Sequence, residues 1–82
     1  MKARITVTLK SGVLDPQGRA IANALHSLSF GNVEDVRQGK LIEVQLKAAN
    51  GQQARAELDA MCRQLLANTV IENYHVEIVG DE

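Results

Sequence analysis

The sequence predicts an α+β fold, a two-layer βαββαβ sandwich in which two helices cover one face of a mostly antiparallel, four-stranded sheet. Three observations predict it. Residues Lys2–Lys10, Leu41–Lys47 and Tyr74–Val79 alternate apolar and polar side chains with the two-residue period of a half-buried strand. Two intervening stretches carry apolar residues at helical spacing. Val33 and Val36, β-branched and followed by Arg37-Gln38-Gly39-Lys40, add a strand running into a hairpin.

The first strand places Ala3, Ile5, Val7 and Leu9 on one face and Arg4, Thr6 and Thr8 on the other. After Ser11-Gly12, Asp15-Pro16 reads as a helix start: the carboxylate accepts from free backbone N–H groups, and proline takes a position whose own N–H has no partner to lose. Ile21, Ala24, Leu25 and Leu28 form the stripe of that helix, which Gly31 is placed to end in the left-handed conformation. The three-residue spacing of Val33 and Val36 breaks alternation and suggests a bulge in the second strand. Ile42, Val44 and Leu46 point inward from the third strand. Asn50 with Gln53 then resembles a capping box opening the second helix. Ala54, Leu58, Met61, Cys62, Leu65 and Leu66 make its stripe, with Asn68 as a left-handed terminator. Tyr74, Val76 and Ile78 face inward on the last strand, ahead of the polar tail Gly80-Asp81-Glu82. The face of the sheet away from the helices would show Thr6, Thr8, Leu41, Gln45, His75 and Val79, a mixed surface that a partner could cover.

At 82 residues the chain has room for one domain. A domain of this size buries only about 60% of its unfolded-chain surface, and Phe30 and Tyr74 are its only aromatics. Self-association, as a homodimer or larger, or a partner would relieve so thin a core. Nine basic and ten acidic residues without like-charge runs supply no field for polyanions or anionic membrane. No apolar run approaches the roughly 20 residues that span a bilayer. One cysteine excludes an internal disulfide, and Met1-Lys2-Ala3-Arg4 leads straight into a strand pattern, so the expected compartment is the cytoplasm.

The chemistry-bearing residues do not assemble into a catalytic set. Cys62 lies on an apolar stripe, where a thiol stays protonated and packs. His26 and His75 have no Cys or His at metal-ligand spacing and read as surface residues. Gly12 to Gly18 with Arg19 fails as a phosphate loop: five residues intervene instead of four, and no Lys-Ser/Thr follows. Glu34-Asp35 and Asp81-Glu82 are adjacent carboxylates, not opposed ones. The alternatives left by this reading are a small-molecule-binding regulatory domain of the βαββαβ type, an acylphosphatase-like enzyme with a poor anion loop, and an RNA-recognition module without exposed strand aromatics.

Three stretches carry a resemblance. They are Leu9-Lys10-Ser11-Gly12-Val13-Leu14-Asp15-Pro16-Gln17-Gly18 with Ala20-Ile21 and Ala24-Leu25; Val36-Arg37-Gln38-Gly39-Lys40 with Ile42-Glu43; and Leu65-Leu66-Ala67-Asn68 with Val70-Ile71-Glu72 and Tyr74. Together they resemble PurS, the small subunit of phosphoribosylformylglycinamidine synthase, over nearly the whole chain. Residues 1–82 are thereby expected to form a single PurS-like domain. Ser11, Thr69 and Asn73 depart from the family pattern without removing any chemistry. The resemblance implies a non-catalytic subunit in purine biosynthesis that bridges a glutaminase, PurQ, and an ATP-dependent synthetase, PurL, and aids ammonia transfer between them. It implies no cofactor on this chain, with ATP and magnesium on the large partner. Partner docking is expected from the family-like loops outside the core, through Gly12, Val13, Leu14, Asp15, Arg19, Arg37, Lys40 and Asn68, with the two arginines as the polar anchors.

Overall fold

Three strands, not four, form the sheet of the computed structural model, which describes residues 1–80. The tail Asp81-Glu82 lies outside the described residues. The elements run β1 (Lys2–Leu9), α1 (Pro16–Ser27), β2 (Gly39–Gln45), α2 (Gly51–Met61) and β3 (Glu72–Gly80). The strand order is β2-β1-β3, antiparallel at both junctions, with Ile5 opposite Ile42 on one side and Val76 on the other.

Because β1 is the middle strand, its inward residues meet neighbours from both sides, and Ala3, Ile5 and Val7 are fully buried. Ala54, Leu58 and Cys62 of the second helical stretch close the core above them, joined by Ala67 and Val76. On the other face Thr6, Thr8, Leu41, Gln45, His75 and Val79 are all exposed, as the alternation predicts. There Arg4 sits between Glu43 and Glu77, at 3.6 and 3.8 Å; such solvent-exposed pairs contribute well under about 1 kcal/mol each.

The expected strand at Val33–Val36 is absent, and the reason is a contact with α1. Gly18 of α1 has no side chain, and a Cβ there would come within 2.2 Å of the Val36 carbonyl oxygen. The segment therefore lies against α1 instead of pairing with β2. Gly18, Ala22 and Leu25, spaced for one helix face, are the covered side of α1. His26 fastens the far end, its Nε2 lying 2.8 Å from the Val33 carbonyl. Gly39, read as a turn residue, is instead the first residue of β2, pressed so close to β1 that a Cβ would lie 2.5 Å from the Val7 carbonyl.

The placement of two helices on one sheet face also needs correction. Only α2 packs on the sheet. Helix α1 projects from its end, leaving Ile21 39% and Leu28 67% exposed. The radius of gyration is 16.1 Å, against about 12 Å for a compact chain of this length.

The caps follow the sequence at the helix starts and depart from it at the ends. Asp15 accepts from the Gly18 N–H at 2.8 Å, with Pro16 at the first helical position. Asn50 accepts from the Gln53 N–H at 2.9 Å, and Gln53 in return accepts from Ala49. The left-handed residue after α1 is Ser29, with φ 77°, not Gly31. Helix α2 passes into a π-helical turn, Cys62–Leu66, closed by the Ala67 N–H on the Cys62 carbonyl. The wider turn rotates Leu66 and Ala67 inward and puts Leu65, expected in the stripe, 83% exposed. Asn68 does not terminate the helix in the left-handed region; its side chain accepts from the Val70 N–H.

Candidate docking surface

The end of the sheet where β1 finishes and β2 and β3 begin gathers the three segments named as family-like. Lys10 ties them through its backbone. Its N–H donates to the Ile71 carbonyl at 2.8 Å. Its carbonyl accepts from the Val13 N–H at 3.1 Å and from Arg37 Nη2 at 3.2 Å. Gly12 turns the chain between these bonds with φ +87°, a conformation that side chains with a Cβ rarely adopt. Each of the three segments is thus held against the other two by a bond to one residue.

Asp15 is the second joint. It is buried, with Oδ1 taken by Gly18 and Oδ2 accepting from the Gln38 N–H at 2.8 Å. The backbone bonds from Gln38 and Gly18, reinforced by the Arg37 charge, hold its carboxyl below the usual carboxylate range despite burial. A side chain so fully engaged fastens α1 to the segment leading into β2.

Around these joints the exposed groups fall into three sets. Gly12, Val13, Leu14, Arg19 and Arg37 line one cleft of about 470 Å³, together with Asp15. Lys40 lies on the other side of the Asp15–Gln38 bond, in a second cleft that Leu9, Pro16 and Glu72 share. Asn68 stands in the link before β3, where its N–H donates to Glu72 at 2.7 Å. The structure therefore brings six of the eight expected docking residues to one cleft and sets Lys40 and Asn68 beside it. Leu14 is 70% exposed there, and Leu65 and Val70 are 83% and 80% exposed near Asn68. Leu65 escaped the sequence reading because nothing in the helical spacing marks a π turn. Val70 carries a weak signal, a lone pair of apolar residues in a polar link.

Away from this end, Tyr74 on β3 donates a hydrogen bond to Asp59 of α2, which also pairs with Arg63 at 3.0 Å. The bond to Asp59 raises the Tyr74 pKa. Burial, with Asp59 nearby, raises that of Cys62, which keeps the thiol protonated in the core. Among the described residues no group of three or more His, Cys, Asp or Glu side chains is placed to hold a metal ion. No helix among them is long and apolar enough to cross a membrane.

Residues 2–80 match the family model PurS, described as phosphoribosylformylglycinamidine (FGAM) synthase. The chain is 52% identical over 79 residues to the PurS subunit of Synechocystis, covering 96% of this chain and 79% of that one. It is 44% identical over 81 residues to the Bacillus subtilis subunit, covering 94% and 90%. Crystalline PurS of Methanocaldococcus jannaschii, described as one of the subunits of formylglycinamide ribonucleotide amidotransferase, superposes with a TM-score of 0.89 at 40% identity, over 99% of this chain and 98% of that one. A structure of PurLQS from Thermotoga maritima matches at 0.85 and 34% identity, covering 93% of each chain. With a model spanning nearly its whole length and relatives well above 30% identity, the chain belongs to the PurS family, the PurS subunits of FGAM synthase in purine biosynthesis.

Proposed function

We propose that this chain is the non-catalytic bridge of a three-part FGAM synthase: it docks the glutaminase subunit PurQ and the synthetase subunit PurL and aids the passage of ammonia between them. ATP and magnesium act on the large subunit in this reading, and the small subunit works as a homodimer or larger assembly. The observation that carries it is the convergence of three separate loops on Lys10, which presents a fixed surface with exposed Leu14, Leu65 and Val70 and the cations Arg19 and Arg37. Apolar anchors beside arginine are the composition of interface hot spots. The Thermotoga maritima PurLQS structure supports partnership with both other subunits.

Reconstitution tests it. With purified glutaminase and synthetase subunits, adding this protein restores glutamine-dependent FGAM synthesis and leaves ammonia-dependent synthesis unchanged. Full glutamine-dependent turnover by the other two subunits alone would defeat the bridging role.

A further inference from the structure

The turn into α2 holds a chemically labile pair. Asn50 is followed directly by Gly51, and both are exposed. Asparagine is among the thermolabile residues, and glycine is the follower that shields its own nitrogen least. The Gly51 nitrogen and Asn50 Cγ are the two ends of a run N–C–Cα–Cβ–Cγ that one new bond closes into a five-membered succinimide. Among the described residues, a Cβ at position 51 would meet nothing across the fold nearer than Ile78 Cδ1, at 3.9 Å. The ring, and the water that opens it, have room.

The folded turn holds this reaction back. Asn50 Oδ1 accepts from the Gln53 N–H at 2.9 Å, which fixes the carboxamide over the first turn of α2. Its ψ of 174° leaves the C–N bond to Gly51 staggered to Cα–Cβ, whereas ring closure needs the two nearly eclipsed. Gln53 in return accepts from the Ala49 N–H at 2.9 Å, and the Asn50 carbonyl accepts from the Ala54 N–H at 3.1 Å. All of these bonds except the last join exposed residues, and a helix end held in this way opens locally more often than the core does.

We propose that Asn50–Gly51 is a site of spontaneous backbone modification gated by the α2 cap: the pair cyclises when the first turn of α2 opens and is held off while the cap is closed. The Gly51 nitrogen attacks Cγ and gives its proton to water, and the carboxamide nitrogen leaves as ammonia with a proton from water. One water then opens the succinimide. Cleavage of the Cγ–N bond leaves aspartate, and cleavage of the bond to the main-chain carbonyl carbon leaves isoaspartate, whose chain runs through Cβ and Cγ. Aspartate caps a helix about as well as asparagine and adds charge where the helix dipole favours it. Isoaspartate inserts a carbon into the backbone ahead of Ala54 and Leu58, both fully buried, and so loosens the start of α2.

Timed incubation of the intact protein at mildly alkaline pH tests the site, read by peptide mass spectrometry and by an isoaspartate-specific carboxyl methyltransferase. The expected result is a product one mass unit heavier in the peptide containing Asn50. It forms at least roughly 10-fold more slowly in the folded protein than in guanidinium chloride, a ratio equivalent to about 1.4 kcal/mol of opening. Gln53→Ala keeps the labile pair and the residue-53 N–H but loses the bond to Ala49. It speeds the folded reaction roughly 2- to 5-fold, the worth of one such bond, and leaves the rate in denaturant unchanged. Asn50→Ser keeps a capping residue and abolishes the heavier product. A folded rate equal to or above the unfolded one overturns the gate. A heavier peptide that persists in Asn50→Ser, or none even in denaturant, overturns the site.

Discussion

The two ends of this small chain are held together by different forces. Around α2, stability comes from burial: Ala3, Ile5, Val7, Leu58 and Cys62 are closed off from water, and the Tyr74–Asp59 bond adds one polar clamp at the margin. Around α1 almost nothing apolar is buried, and the helix is held by single hydrogen bonds, from Gln38 and Gly18 to Asp15, from Arg37 to Lys10, and between His26 and Val33. An end built on burial resists change because every neighbour loses contacts together. An end built on a few directional bonds can be released one bond at a time, and it keeps its apolar side chains available to other molecules.

Substitution inside the buried end has the largest expected effect. Leu58→Ala removes a fully buried side chain and leaves a cavity, costing about 2 to 5 kcal/mol in denaturant unfolding. Ile21→Ala on α1, measured on the monomeric chain, changes stability by less than about 0.5 kcal/mol. Equal losses at the two positions would show that α1 packs on its own sheet after all.

Gly18→Ala comes next. A Cβ there falls 2.2 Å from the Val36 carbonyl and 2.8 Å from Asp15 Oδ2, so both the helix and the segment must shift. Overpacking of this kind costs roughly 1 to 3 kcal/mol. Its signature is faster amide exchange at residues 33–38 with unchanged protection in β1 and β3. A uniform loss of protection would mean that the α1 end and the sheet unfold as one unit.

The same contrast explains which parts were legible in the sequence. Strand alternation at β1, β2 and β3 read true because one face of each is buried, and burial writes a two-residue period. The caps at Asp15 and Asn50 read true because they satisfy neighbours three residues on. Other features did not, three of them for reasons that can be named. The fourth strand failed because Val33–Val36 has a better partner in Gly18, a contact 15 or more residues away that no local pattern encodes. The placement of α1 failed because an apolar stripe states that a face needs covering and is silent on which molecule covers it. The π turn exposing Leu65 is one added residue in a helix, invisible to a spacing of 3.6. At the candidate docking surface the family-like loops were found by resemblance, while Lys10, whose backbone joins them, carries no mark in its side chain.

Acidification tests the α1 end without a mutation. The Asp15 carboxyl is held below its usual range by the bonds from Gln38 and Gly18, so its contribution is fully present above the unfolded-state value, near 3.8, and is lost as pH falls through the lower folded value. Exchange protection at residues 36–38 is therefore lost at pH values below about 4. Asp15→Asn reproduces the loosening at neutral pH, because an amide has one acceptor oxygen for two N–H donors. Unchanged exchange in the variant would mean that the two bonds do not fasten α1.

Arg37→Ala has the smallest effect on the chain itself and the sharpest on its proposed work. Arg37 is exposed, and its bond to the Lys10 carbonyl duplicates the one from the Val13 N–H, so the carbonyl keeps a partner when the guanidinium is removed. Unfolding free energy should move by less than about 0.5 kcal/mol. If the cleft that Arg37 shares with Arg19 and Leu14 meets the glutaminase, glutamine-dependent synthesis in the reconstituted complex falls and recovers at higher concentrations of the small subunit. Ammonia-dependent synthesis does not change. A loss that extra subunit does not restore would place Arg37 in the ammonia path instead of the docking contact, and no loss at all would remove it from the surface.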